Sequence, residues 1–321
     1  MSGIGLGLAL SSGQLAGQVL RVASMTAPEI AALDRARTVV VLPGGILEAH
    51  GPYLPSFSDG ILNERLADSL AQAIAARPGW RALLFPMMPL GNSAANDIAG
   101  RYTFPGSYTV RFETLRAVYM DLADALGEQG FRQIFVVQLH GAPNHSRALD
   151  DAGDYFHDTY RGYMVHLAGL LPVFGALEGP KSASERAADG LPIHAGMDET
   201  SLLAFLAPSL VRSDARNAPD YANGTMEGLV RLSQRAGWPG YFGAPRLASV
   251  AHGQHVWRAL ADSTIGVALR IVDGLSPRSL PRFADELAKS PVDVRLDAAS
   301  RRAERRQAVR QAAWLRLHGH P

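Results

Sequence analysis

The sequence predicts an α/β fold in which helices are layered against a mostly parallel central sheet. Apolar runs at residues 38–43, 82–90 and 134–139 have the length and composition of strands, and segments with helical periodicity lie between and after them. Runs of this kind are typical of strands buried on both faces. Because strands and helices alternate at this pace, we expect parallel βαβ units and a layered α/β/α architecture.

The first strand is predicted over residues 38–43, where the run TVVVLP is followed by Gly44 and Gly45. The first long helix should start near Ser58, because apolar residues then recur at intervals of three and four. An Arg-Pro-Gly sequence at residues 77–79 should follow its end.

The later elements follow from the same rules of periodicity. In chain order the sequence predicts a strand over 82–90, a helix over 111–129, a strand over 134–139, a helix from about Asn144, a helix from about Thr200 and a helix over 252–273. Residues 175–195 form a looser region rich in Gly, Pro and small residues, and turn signals predict mostly irregular structure over 211–250. The arginine-rich end should form a solvated helix, because few apolar residues define a face.

The 321 residues suffice for one large α/β domain or two modest ones, and no clear linker divides them. We predict a partly disordered N-terminal extension over 1–34, a main domain over 35–275 and a C-terminal helical extension over 276–321. No basic residue precedes the early run GIGLGLAL, so a secretory signal is disfavoured. No window reaches the ~18 apolar residues of a membrane span. We expect a cytoplasmic protein without a membrane partner, with periplasmic export as the less favoured alternative.

The composition excludes several function classes. The formal net charge is +1, from 31 basic and 30 acidic residues, so no global field recruits nucleic acid. The chain has no cysteine, which excludes disulfides, thiolate zinc sites and a cysteine nucleophile. Neither a serine nucleophile elbow, nor a His-Glu-x-x-His zinc helix, nor a phosphate-binding Walker loop occurs. A small molecule is therefore the expected partner, and any metal must be held by His, Asp and Glu.

Five side chains in three short stretches are suited to binding two divalent metals. Glu48 and His50 should project together just beyond the first strand, because residues i and i+2 of an extended segment point the same way. His140 follows the strand 134–139, and ligands collect outside the carboxyl ends of parallel strands. Asp59 and Glu199 come at predicted helix starts, where Asp59 could bridge two ions with its two oxygens.

This mixture of imidazole and carboxylate suits zinc, manganese or iron, and an open coordination position would turn bound water into a nucleophile. Without cations, three crowded carboxylates would repel one another and raise their pKa values. Each residue alone also has a structural explanation, as a loop histidine, a helix cap, a partner of a helix dipole or a satisfied core histidine. The joint placement predicts a metal-dependent hydrolase.

Five ordered blocks of the chain resemble motifs of the creatininase (creatinine amidohydrolase) family. They are LPGGILEAHGPYLPSFSD (42–59), FPGS (104–107), LHGAPN (139–144), HAGMDETS (194–201) and GYFGAPRLAS (240–249). The resemblance spans roughly residues 35–265, and its first and fourth blocks are the specific ones. It implies a dinuclear metal amidohydrolase with a creatininase-type layered fold that assembles as a homo-oligomer, with a hexamer among the options.

The resemblance also implies roles for single residues. Glu48, His50, Asp59 and His140 match family metal ligands, with Asp59 as the bridge between two divalent ions (Zn²⁺, Mn²⁺ or Fe²⁺). Creatininase carries a ligand glutamate two residues after its histidine, where this chain has alanine. The glutamate of the fourth block, Glu199, must therefore supply the remaining ligand.

His194 matches the acid/base histidine that is proposed for the family. A C–N bond can break only if the departing nitrogen receives a proton, and an imidazole can shuttle one near neutral pH. Glu199 is predicted to take part in catalysis as well as in metal binding. The structural alternative for His194 is a histidine that satisfies a buried carbonyl.

The leading functional hypothesis is hydrolysis of the C–N bond of a cyclic amide or related small molecule by metal-activated hydroxide. Creatinine itself is disfavoured, because residues 191–193 replace the Trp-containing segment that creatininase uses beside its substrate. Two alternatives remain: a peptidase that trims a short modified peptide, and a catalytically silent homologue that binds a small ligand. Metal uptake would separate the enzymes from the silent homologue.

Overall fold

The computed structural model describes residues 18–319, and a single five-stranded sheet organises them. The strands are β1 (Val19–Arg21), β2 (Thr38–Pro43), β3 (Arg81–Leu84), β4 (Gln133–Val137) and β5 (Tyr163–His166). Their order across the sheet is β1-β3-β2-β4-β5, and every neighbouring pair is parallel. The predicted α/β class with a mostly parallel central sheet is confirmed.

Eleven α-helices lie within residues 18–319. They are α1 (Ala27–Ala31), α2 (Ser58–Ala75), α3 (Phe112–Glu128), α4 (Pro143–Tyr160), α5 (Leu171–Phe174), α6 (Ala183–Asp189), α7 (Met197–Leu206), α8 (Met226–Ser233), α9 (Val250–Val272), α10 (Phe283–Leu287) and α11 (Pro291–Leu317). None of the helices in this part of the chain is long and apolar enough to cross a membrane.

The alternation of side chains along β2 explains why helices cover both faces of the sheet. Val39 and Val41 pack into a core shared with α2, α7 and α9, whereas Val40 and Leu42 pack into a second core shared with α3 and α4. All six residues of β2 are buried. Because successive strand residues point to opposite faces, an all-apolar run requires cover on both sides.

The connections place a crevice at the carboxyl ends of β2 and β4. The helix α2, which follows β2, lies on one face, while α3 and α4 lie on the other. The chain therefore turns in opposite directions from these two neighbouring strands, which is the arrangement at which parallel sheets bind ligands. Gly45 and Gly60 let the end of β2 approach the start of α2, since a Cβ on Gly45 would lie 2.7 Å from the Cα of Gly60.

Several predicted elements need correction. The predicted strand 82–90 is wrong in its second half, because β3 ends at Leu84, just before Pro86 and Pro89, which have no N–H to donate to a ladder. The strand β5 was not predicted, and the helix α8 lies within the region predicted to be irregular. Thr225 caps α8 by accepting a hydrogen bond from the Gly228 N–H, a local signal that the turn residues around it obscured.

The two predicted extensions contribute to the described structure. Residues Val19–Arg21 form the edge strand β1, which pairs with β3. The predicted disorder and the disfavoured signal fall largely on residues 1–17, which lie outside the described residues. At the other end, α11 packs on the domain through its first half, where Val292 and Ser300 are buried, and the prediction of a solvated helix holds for its second half.

Candidate metal centre

Glu48 and His50 follow β2 and lie side by side in the crevice, as predicted. The His50 Nδ1 atom is 2.9 Å from the Glu48 carbonyl, and since a carbonyl only accepts, Nδ1 carries the proton. The His50 Nε2 atom therefore presents its lone pair to the crevice. The Ala95 N–H donates to Oε1 of Glu48, which leaves Oε2 without a hydrogen-bond partner among the described residues.

Asp59 lies in the first turn of α2 but does not cap the helix. No side-chain cap hydrogen bond is present at this end, so the structural explanation for Asp59 does not apply. Its side chain is 5% exposed, and Oδ2 is 3.7 Å from the His50 Nε2 atom. The first turn of α2 thus directs a carboxylate at the free lone pair of His50.

His140 follows β4 and faces Glu48 across the crevice. Its Nε2 donates to the Ser93 carbonyl at 2.9 Å, so the Nδ1 lone pair points at Glu48 Oε2, 3.1 Å away. Two electron-rich atoms at this distance repel unless a proton or a cation lies between them. Ser93 adopts a positive φ of 58°, which aims its carbonyl at the histidine.

His194 and Glu199 reach the same place from the segment that leads into α7. The His194 Nε2 atom donates to the Ala49 carbonyl at 2.7 Å, and its Nδ1 is 3.8 Å from Glu48 Oε1. Glu199 Oε2 accepts from the Ala195 N–H and is 3.9 Å from His50 Nε2. The His194 and His50 rings are 4.3 Å apart, so sequence reasoning, which gave His194 only a proton-transfer role, missed how close it lies to the metal-binding atoms.

The six side chains form three overlapping groups that could each hold a metal ion. The groups are Glu48 with Asp59 and His140, His50 with Asp59 and Glu199, and Glu48 with His50 and His194, each with ligand atoms within 4.8 Å of one another. The first two groups contain all five residues predicted as ligands and share only Asp59. The geometry thus brings together every predicted site residue.

Burial and charge at this cluster favour a cation. Burial opposes ionisation of Glu48, but the imidazoles of His194 and His140 outweigh it and hold the pKa of Glu48 below its ordinary value. Burial raises the pKa of Asp59 to about 6. Burial lowers the pKa of His140. The charge of the Glu48 carboxylate and its hydrogen bond to His140 outweigh burial and raise this pKa to about 10. Without a cation the carboxylates would favour a proton on the imidazoles, and a divalent cation would take the place of that proton between Glu48 Oε2 and His140 Nδ1.

Orphaned polar atoms give a second test of the fit to a metal. Glu48 Oε2, His50 Nε2 and Asp59 Oδ2 are buried and have no hydrogen-bond partner among residues 18–319. Leaving such an atom unsatisfied costs about 1–3 kcal/mol, so three in one place require an explanation. Carboxylate oxygens and imidazole nitrogens are ligands for zinc, manganese and iron. The donor set fits divalent ions.

A buried network behind α7 holds the segment that carries His194 and Glu199. The Lys181 ammonium lies 2.5 Å from Asp198 Oδ2 and 2.8 Å from Asp189 Oδ2. Asp189 Oδ1 accepts from the N–H groups of Met197 and Ala244, and His252 lies 2.7 Å from the other oxygen of Asp198. Sequence reasoning missed this network, although Lys181 is one of only two lysines in an arginine-rich chain.

A cavity of about 400 Å³ opens from the cluster toward the C-terminal segment. Glu48, Asp59 and His140 line its inner end, and side chains of α10 and α11 line another part. Most of the remaining lining is apolar, including Ile193 and Phe174. Such a cavity next to convergent polar groups is the usual form of a small-molecule site.

Comparisons with known proteins give a consistent result. The family described as "Creatininase: Creatinine amidohydrolase" matches residues 23–267. The mycofactocin precursor peptide peptidase of Mycobacterium ulcerans (strain Agy99) is 26% identical over 73% of this chain and 86% of its own length. The creatinine amidohydrolase of Pseudomonas putida is 25% identical over 55% of this chain and 67% of its own length.

Two solved structures are similar in fold. One is described as "Creatininase Mn" and the other as a mutant creatininase of Zn-Zn type. Each superposes with a TM-score of 0.56 at 20% identity and covers 81% of this chain and 100% of its own length. The layered architecture inferred from sequence is thus shared with these enzymes.

Proposed function

This chain belongs to the creatininase family, and on that premise we propose that it is a metal-dependent amidohydrolase that cleaves the C–N bond of a small amide. The observation that carries the proposal is the convergence of five carboxylate and imidazole ligands around buried atoms that lack hydrogen-bond partners. The proposed hydrolase domain covers residues 35–275, and the proposed assembly is a homo-oligomer in the cytoplasm, which light scattering and fractionation would test.

We assign two divalent ions to the two groups that share Asp59. One ion would be held by Glu48, Asp59 and His140, and the other by His50, Asp59 and Glu199, so that Asp59 is the bridge. Bound there, zinc, manganese or iron would polarise the scissile carbonyl and lower the pKa of a water molecule. Donation from His50 Nδ1 and His140 Nε2 to backbone carbonyls keeps both imidazoles in the tautomers that ligation needs.

His194 is the proposed proton shuttle. Its Nε2 atom is committed to the Ala49 carbonyl, so Nδ1 faces the cluster and can pass a proton to the departing nitrogen. Glu199 stands on the same segment and is the most exposed of the predicted ligands, with its side chain 29% exposed. Glu199 is therefore proposed to contact the substrate side of the site and to assist proton transfer.

Hydrolysis of a short peptide is the second candidate, and two observations favour it. The chain resembles mycofactocin precursor peptide peptidases over 70–73% of its length. A cavity of about 400 Å³ also has room for a substrate larger than a single small ring. The same cluster would serve either amide, because both reactions break a C–N bond next to a carbonyl.

The test is a substrate screen with the full-length protein reconstituted separately with Zn²⁺, Mn²⁺ and Fe²⁺. Cyclic amides, formamides and short peptides form the panel, and kcat/KM is measured for each. Glu48→Gln should lower kcat/KM by at least ~100-fold, because it removes a ligand charge from the centre. The matched control is Glu64→Gln, the same change at an exposed position of α2. Parent-like activity of Glu48→Gln, or a protein that takes up no metal, would overturn the proposal.

A further inference from the structure

The C-terminal segment forms part of the wall of the cavity beside the candidate metal centre. Phe283 and Leu287 of α10 and Leu296 of α11 line this cavity together with Glu48 and Asp59 at its inner end. Both carboxylates carry a buried oxygen without a hydrogen-bond partner among the described residues, which marks the inner end as the place of a ligand. The family match ends at residue 267, so this wall lies outside the shared region.

Hydrogen bonds hold α11 against the loop that carries the metal-site backbone. Ser300 Oγ donates to Asp97 Oδ2 at 2.6 Å, and the Glu304 carboxylate accepts from Asn92 Nδ2 at 2.5 Å and from the Phe112 N–H at 3.1 Å. These contacts join residues about 200 positions apart in the chain. The wall is therefore an integral part of the folded domain and has a defined position over the site.

The apolar part of the wall would pack against a hydrocarbon body. The rings of Phe174 and Phe283 stack with centroids 3.7 Å apart, and Gly141 is in close contact with Phe174, where a Cβ would lie 2.9 Å from the ring. Ile193 lines the same space from the segment before α7 and is 40% exposed. Burial of this exposed apolar surface against a hydrocarbon body would favour binding.

Two carboxylates lie among these apolar side chains. Asp293 and Asp297 are one helical turn apart on α11 and both line the cavity. Neither carboxylate has a hydrogen bond or an ion pair within the described residues. The nearby cations are engaged elsewhere: Arg301 donates to Asn144, and Arg147 donates to a backbone carbonyl of α10.

Burial, reinforced by Asp293, raises the pKa of Asp297 to about 7, although the charges of Arg301 and Arg147 lower it. A cation placed beside the pair would supply the missing charge. A carboxylate pair in an apolar wall therefore complements a protonated amine.

We propose that α10 and α11 select amides that carry a protonated amine on an apolar body, with the amine against Asp293 and Asp297. This selection rests on the proposed amidohydrolase function, because the amide must reach the metal centre at the inner end of the same cavity. The ammonium group belongs either to a small amino-amide or to the free N-terminus of a short peptide. Its recognition by the two carboxylates is the same in both cases.

The test compares ligands that differ only in the amine. The zinc-loaded full-length protein is titrated calorimetrically with 6-aminohexanamide and with heptanamide, in which a methyl group replaces the ammonium. A second arm compares phenylalanyl-leucinamide with its N-acetylated form. In at least one of the two arms, the parent protein should bind the amine-bearing ligand at least about fivefold more tightly than its neutral partner.

Asp293→Asn combined with Asp297→Asn should remove this preference and leave the affinity for heptanamide unchanged. The matched control combines Asp121→Asn with Asp262→Asn, which makes the same charge change at exposed positions of α3 and α9 and should keep the preference. If the first double variant fails to fold, Asp297→Lys replaces it and should reverse the preference.

The two arms separate the sources of the amine. Discrimination in the first arm alone identifies a small amino-amide, and discrimination in the second alone identifies a peptide N-terminus. Equal affinities in both arms, or a preference that survives loss of both carboxylates, would overturn the proposal. The titrations measure binding and do not require turnover. If no amide is hydrolysed, that result contradicts the proposed function but leaves the selection of amine-bearing ligands standing.

Discussion

Replacing Lys181 by methionine should destabilise the protein and loosen its metal centre. The Lys181 side chain is 2% exposed, and its ammonium lies between the carboxylates of Asp189 and Asp198. Burial lowers the pKa of Lys181, but hydrogen bonds to these two carboxylates outweigh burial and raise the pKa above its ordinary value. The lysine is therefore charged at neutral pH. Methionine keeps the length of the apolar stem and removes only the charge.

The magnitude follows from what each carboxylate retains. Breaking a buried ion pair by removing one partner costs about 3–5 kcal/mol. Asp198 keeps His252 at 2.7 Å, and Asp189 keeps two backbone N–H donors, so we expect the lower end, about 3 kcal/mol. For a domain of this size that corresponds to a fall in Tm of roughly 5–10 °C.

Both effects can be measured on the same samples. Urea unfolding gives the change in the free energy of unfolding, and competition with a chelator gives the zinc affinity. The affinity should fall about tenfold, because the network positions the segment that carries His194 and Glu199. Lys289→Met is the matched control, since its side chain is 69% exposed and it pairs only with a neighbour one turn away.

Adding Asp198→Asn to Lys181→Met should recover part of the lost stability, because it removes one uncompensated buried charge. Parent-like unfolding of Lys181→Met would show that the ion pairs do not stabilise the fold. A loss of stability with zinc affinity at the parent value would show that the network is unconnected to the site.

Three further predictions follow from single side chains. Asp59→Asn should lower the metal content from the proposed two ions per chain to one or fewer by elemental analysis, and an unchanged content would exclude Asp59 as the bridge. Burial raises the pKa of Asp150 to about 7, so this carboxyl lowers stability progressively between the unfolded-chain pKa of about 4 and pH 7, and by a constant amount above it. Asp150→Asn should therefore raise the free energy of unfolding by about 1–3 kcal/mol at pH 8. This gain in stability should shrink as pH falls through 7 and vanish near pH 4. A gain that is independent of pH would contradict the prediction. Glu304→Ala should lower the free energy of unfolding by about 1–3 kcal/mol, because Asn92 and the Phe112 N–H lose the carboxylate that accepts their hydrogen bonds. The control variant Arg310→Ala should change thermal unfolding little. Equal melting temperatures of the two variants would show that Glu304 does not hold α11 in place.

The local sequence pattern was sufficient to predict a strand or helix where the residues of that element alone determine its structure. The strand 38–43 was predicted with the bounds that β2 has, because a short, uninterrupted, mostly apolar run indicates a strand buried on both faces without knowledge of its partners. The short strand β5 has only four residues, and α8 lies between turn signals, so neither stands out locally. Predictions of this kind succeed for long periodic segments and fail for short ones.

The candidate site was predictable for a related reason. Glu48, His50 and His140 come directly after strands, and the carboxyl ends of parallel strands lie at one edge of the sheet. Their convergence follows from topology alone. The role of Glu199 came from the resemblance of its block to family motifs, and the structure adds its contact with the Ala195 N–H.

The layered α/β class, the five candidate ligands and the absence of thiol chemistry follow from local order and residue type. Long-range packing places His194 among the candidate ligands, brings Lys181 between two buried aspartates and sets α11 along the cavity wall. Contacts such as that of Ser300 with Asp97 join residues 203 positions apart. Periodicity reports which face of an element is buried, but the partner of that face is chosen by the packing of the whole chain.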